Sequence, residues 1–108
     1  MGDKEELEAI WEEHRELTAA RLAVLARAAR AAAAGTLDGP GRAEAASEAH
    51  MVAGAAGIFG YTEGARLARE IERTLKAPGA IARADGERLV ALCAALGSAL
   101  GVDTGSSP

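Results

Sequence analysis

The chain has few aromatic residues: one tryptophan, one phenylalanine and one tyrosine among 108 residues. Any core it builds is therefore modest and leans on Trp11, Phe59 and the leucines. Cysteine occurs once, which excludes an internal disulfide. Cys93 stands in an apolar helical run and reads as a buried free thiol in a reducing cytoplasm. Proline is confined to Pro40, Pro78 and Pro108, each where a helix breaks or ends. No apolar run can cross a bilayer, since Ala28–Ala34 is short and holds Arg30. The opening Gly2-Asp3-Lys4-Glu5-Glu6 is charged and lacks the apolar centre of a secretion signal. A basic stripe is missing too. The net charge is −4, the arginines are scattered, and Glu5, Glu6, Glu8, Glu12, Glu13 and Glu16 offset them near the start. Nucleic acid is thereby excluded as a partner class.

Alanine supplies much of the apolar half of the composition. It is the best helix former and a poor strand former, so the expected class is all-α. The periodicity places a first helix over 4–34, with Leu7, Ile10, Trp11, His14, Thr18, Leu22, Leu25 and Ala29 along one face. Gly35 stops it, and Thr36–Gly41 reads as a loop. A second helix covers 42–59 and ends at Gly60. Thr62 is the expected N-cap of a third, running to Lys76, with Ala65, Leu67, Ala68, Ile71 and Leu75 at helical spacing. Ala77-Pro78-Gly79 breaks the chain. A fourth helix spans 84–100, with Leu89, Val90, Leu92, Cys93, Leu96 and Leu100 apolar. Short links make the helices antiparallel neighbours, which gives a single up-down four-helix bundle over 1–101. The small, polar end, 102–108, is expected to be a disordered tail.

The second helix carries the unusual stretch, Glu44 to Tyr61. At ~100° per residue, Ala45, Ala49, Val52, Ala56 and Phe59 form a buried seam. His50 lies about 140° round from it and should face water. Its neighbours one turn away are Ala46 and Ser47, then Ala53 and Gly54. Ala43 and Gly57 extend the strip, and Met51 and Ile58 offer an apolar rim. Two glycines inside a helix cost on the order of 2 kcal/mol. Close approach of another body is a physical reason to accept that cost, and the outward direction of the strip makes that body a partner protein.

The run His50-Met51-Val52-Ala53-Gly54-Ala55-Ala56-Gly57-Ile58-Phe59-Gly60 resembles the signature of histidine phosphotransfer (HPt) domains. In that family an exposed histidine is followed four residues later by glycine, then by small residues and a phenylalanine or leucine before a helix-ending glycine. His50, Gly54, Ala55, Ala56, Gly57, Phe59 and Gly60 fit those places. The family commonly carries a lysine near the histidine, often three residues after it; here that place is Ala53. The resemblance implies a four-helix bundle, a phosphohistidine formed at Nε2 of His50, and exchange with response-regulator receiver domains or a hybrid histidine kinase. It also implies that the receiver brings its own Mg²⁺, acidic pocket and lysine, so this chain binds no cofactor itself.

The residues agree with that chemistry. An imidazole in water keeps a neutral population with a free lone pair, which attack on phosphorus needs. Nothing is built to activate ATP: no GxxxxGK[ST], no kinase motif set, no clustered carboxylates for Mg²⁺. The expected role is a stoichiometric phosphocarrier, monomeric and cytoplasmic. Ala46, Ser47, Met51, Ala53, Gly54 and Gly57 would form its docking and access surface. The alternatives are a bundle that docks a receiver or kinase without the chemistry, and self-association through the small-residue strip. His14 reads as a hydrogen-bonded structural histidine beside Trp11, and two histidines on separate helices make no metal site. Arg21, Arg27, Arg30, Arg66 and Arg69 read as solvated charge. Arg42 is the arginine nearest His50 in sequence that could reach a partner.

Overall fold

A computed structural model of the protein describes residues 2–102, with side chains from residue 4 onward. Four helices follow one another: α1 (Gly2–Ala34), α2 (Gly39–Ile58), α3 (Thr62–Lys76) and α4 (Arg83–Leu100). Each packs against its neighbours in ring order, α1 on α2, α2 on α3, α3 on α4 and α4 back on α1. This is the antiparallel up-down bundle that the short links dictate. The largest fully buried side chains are Leu22, Leu25, Val52, Ile71, Leu89, Leu96 and Leu100, with at least one from every helix.

The loop before α2 is shorter than the sequence suggests. Asp38 caps the helix, its carboxylate accepting the Gly41 amide at 2.7 Å. Pro40 sits inside the first turn, where a missing N–H costs nothing. The expected Thr62 cap is displaced by one residue. Tyr61 holds the N-cap position, and its carbonyl already accepts from the Ala65 amide at 2.9 Å. Gly60 at φ +83° reverses the chain between α2 and α3, and the Tyr61 amide returns to the Ala56 carbonyl at 2.8 Å. The reversal is therefore tight, and the two helices run side by side from it.

At 33 residues, α1 is the longest helix and sets the 49 Å long axis of the molecule. Its first turns run past the α2–α3 reversal. Trp11 closes that end, with ring centroids 5.2 Å from Phe59 and 4.9 Å from Tyr61. Leu7 and Ile10, expected on the apolar face, fall in this overhang and are exposed. Val90, also expected inside, lies at the rim of the buried stripe of α4 and is exposed. Val102, expected in the tail, is buried in the core cluster, its amide bonded to the Gly97 carbonyl at 2.9 Å. The rest of the expected tail, 103–108, lies outside the described residues.

The α1–α4 contact is close because Gly86 has no side chain. A Cβ there would stand 2.5 Å from the Ala33 amide nitrogen and 2.6 Å from the Ala32 carbonyl carbon. Alanines on α1 facing a glycine on α4 let two backbones meet, which larger side chains would prevent.

Candidate functional site

α2 buries Ala45, Ala46, Ala49, Val52, Ala53 and Ala56. His50 lies about 100° round from the middle of that stripe at the helical period, and its side chain is 74% exposed. Gly54 leaves one side of the ring clear, since an added Cβ would meet nothing within 4 Å. The ring therefore stands in water above a bare helix turn.

Its orientation is not left free. Nδ1 of His50 lies 3.0 Å from Oε2 of Glu72 on α3, and the Glu72 side chain is only 15% exposed. An ionised carboxylate can only accept. The proton of a neutral ring therefore sits on Nδ1, and the lone pair is on the outward Nε2. Lys76, one turn further along α3, reaches the same Oε2 at 3.3 Å. Arg69, on the other side of Glu72, brings Nη2 to 4.0 Å from where a Gly57 Cβ would be. Both cations belong to α3.

The expected access residues divide. Ser47, Met51, Gly54 and Gly57 are exposed around the ring. Ala46 and Ala53 are not: they are 9% and 4% exposed. Both lie on the side of His50 that α3 covers. The seam drawn from the sequence was too narrow because α2 packs on two helices, α1 and α3. The apolar rim is present, with Ile58 72% and Met51 39% exposed. Arg21 is not simply solvated charge. Its Nη1 reaches Glu48 Oε1 at 3.2 Å and Met51 Sδ at 2.8 Å, tying α1 to the rim.

Two further expectations are corrected. Arg42 does not reach outward. Its guanidinium donates to the carbonyls of Leu75 at 2.6 Å, Gly79 at 2.7 Å and Ala77, closing the C-terminal end of α3, where orphan carbonyls and the helix dipole favour a cation. His14 is exposed, with its ring centroid 5.7 Å from Phe59 and no hydrogen bond among the described residues. It lies on α1 where the overhang begins, so the ring covers Phe59 from outside. Cys93 is buried, and desolvation pushes its thiol up to about 11 despite the nearby charge of Arg30.

Among the described residues, no group of three or more His, Cys, Asp or Glu side chains comes together to hold a metal. No helix there is long and apolar enough to cross a membrane. The arrangement sets one exposed imidazole against a carboxylate that Lys76 also contacts.

The family model described as Hpt domain matches residues 5–101, the whole of the bundle around this site. No curated protein and no solved structure matches the chain.

Proposed function

Because the chain belongs to the Hpt domain family, whose members work in two-component phosphorelays, we propose that His50 is its phosphoryl-accepting residue and that the group comes from the aspartyl phosphate of a receiver domain. Nε2 attacks phosphorus in line with the bond to the aspartate oxygen. The N–P bond forms, the P–O bond breaks, and the aspartate leaves as a carboxylate. The ring becomes cationic while Nδ1 keeps its proton, and the Glu72 carboxylate stabilises that charge. Reversal returns the group to an aspartate of the same or another receiver.

The observation that carries this reading is the 3.0 Å contact from Nδ1 of His50 to Glu72 beneath an otherwise exposed ring. A surface histidine without a role gains nothing from a mostly buried carboxylate that fixes its tautomer. Lys76 shares Oε2 of Glu72 with the ring, so it is the cation set to meet the phosphoryl charge once the group is on Nε2. The receiver supplies Mg²⁺, its acidic pocket and its lysine, and this chain contributes no metal. Gly54 and Gly57 keep the approach open, and Met51 and Ile58 give the partner apolar area in a small, transient contact of about 1,200 Å² or less. On this reading the protein acts as a cytoplasmic monomer and turns over no substrate of its own.

Incubation with a receiver carrying labelled aspartyl phosphate tests it. Acid-labile label should pass to the wild type and not to His50→Gln. Equal label on both proteins contradicts the assignment. Tight receiver binding without transfer from any cognate receiver would make the chain a docking module instead.

A further inference from the structure

A hollow lies between the first half of α2 and the second half of α3, against His50. It measures about 640 Å³ and opens to solvent. Ala46 and Leu75 form its floor, Ala43 one wall, and Glu72 and Lys76 the edge nearest α3. Both floor residues are buried beneath it, Ala46 at 9% and Leu75 at 3% exposure. A second, shallower hollow on the outer side of α3 shares Glu72 and Lys76 and adds Arg69 and Arg73. Arg66 of the same helix is held by Glu63 and Glu70, and Lys76 by Glu72. Among the described residues Arg69 and Arg73 have no acidic partner within 4.0 Å. Like charges one turn apart repel; Glu72 is the carboxylate lining this hollow, and Arg73 also borders a hollow with Asp85, so the face keeps a positive excess that a partner's negative charge would offset.

We infer that the hollow selects among receivers. The receiver that exchanges phosphoryl groups with His50 seats an apolar side chain on Ala46 and Leu75, and an acidic residue beside it meets Arg73 and Arg69. The inference rests on the phosphocarrier reading of His50. The receiver is the occupant because the hollow adjoins the ring it must cover, and because the unneutralised cations continue from the hollow's edge. Apolar area at the floor holds the docked pair, while the charges steer it and reject receivers that are basic at that place.

The test uses two exposed positions, Ala43→Phe to fill the hollow and Arg73→Glu to reverse its edge. Each is mixed with a panel of Mg²⁺-loaded receivers phosphorylated by acetyl phosphate, and separately with phosphoramidate, a donor too small to need docking. Each variant should lose about tenfold in transfer from the receiver fastest on the wild type, as loss of a central interface contact does. Phosphoramidate labelling of His50 should stay within about twofold of wild type, since a distant exposed charge is largely screened. Added NaCl should slow transfer to the wild type more steeply than to Arg73→Glu. Unchanged receiver transfer in both variants overturns the inference. So does a parallel loss of phosphoramidate labelling, which would make the hollow part of a small-donor site. A wild type that takes label from phosphoramidate but from no receiver also overturns it. A wild type labelled by neither donor overturns the phosphocarrier reading beneath it.

Discussion

His50 and Glu72 face each other across the α2–α3 reversal. They stand 22 positions apart in the chain and 3.0 Å apart at Nδ1 and Oε2, with Tyr61 at the midpoint. The carboxylate fixes which nitrogen is protonated, so Glu72→Ala should release the ring to both tautomers. Nitrogen NMR of the imidazole should find the Nδ1–H form in the wild type and a mixture in the variant. Phosphoryl acceptance should fall about 10- to 100-fold, the worth of a hydrogen bond to a charged group. Glu72→Gln, whose amide oxygen still accepts, should recover part of the loss.

Lys76 is an exposed cation one turn beyond Glu72. Its removal should leave the fold intact and shorten the life of the phosphorylated state by no more than about fivefold, the range of an exposed pair. The decay of acid-labile label on Lys76→Ala against wild type measures it.

Gly54 separates two effects of side-chain size. Gly54→Ala adds a Cβ that meets nothing, so the bundle should gain about 1 kcal/mol from helix propensity, read as a higher urea midpoint. Gly54→Leu should keep that stability and block transfer from a receiver, while phosphoramidate still reaches the ring.

Gly86 is the opposite case. Alanine there drives a Cβ into the α1 backbone at 2.5 Å, and backbone cannot swing aside. Gly86→Ala should destabilise by about 3 kcal/mol, the upper part of the overpacking range. Thermal unfolding should show it, with the phosphotransfer rate of the remaining folded protein unchanged.

Cys93 gives a pH signature. Its folded-state pKa is raised by burial to about 11 from the ordinary value of 9.0. A raised folded-state value means the native thiol stays protonated while the unfolded chain ionises. The stability associated with it is complete below pH 9 and is lost as pH climbs toward 11. Wild type should therefore lose stability over that window relative to Cys93→Ala, and the native thiol should react slowly with alkylating reagents at pH 8.

Much of this was legible before any coordinates. The four helices follow from alanine content, apolar spacing and glycine stops, and the exposure of His50 follows from its angle to the Ala45–Phe59 seam. Glu72 and Lys76 were hidden because they belong to another helix and resemble ordinary surface charge. The signal was still present: the reversal at Gly60-Tyr61 is tight, so counting equally back and forward from Tyr61 pairs His50 with Glu72, and Ala46 with Lys76. Ala46 and Ala53 were misplaced for the same reason. A seam drawn on one helix does not reveal that a second neighbour covers its flank. Arg42 was misjudged because the carbonyls it closes come from residues 75–79, far along the chain.

Phosphoryl transfer to this protein turns on a single nitrogen atom, Nε2 of His50. Protein labelled with ¹⁵N-histidine and treated with phosphoramidate can be followed by ³¹P and long-range ¹H–¹⁵N NMR. One phosphoryl group is expected, bonded to Nε2 of His50, with Nδ1 still carrying its proton toward Glu72. A phosphoryl group on Nδ1, on His14, or on no histidine would contradict it.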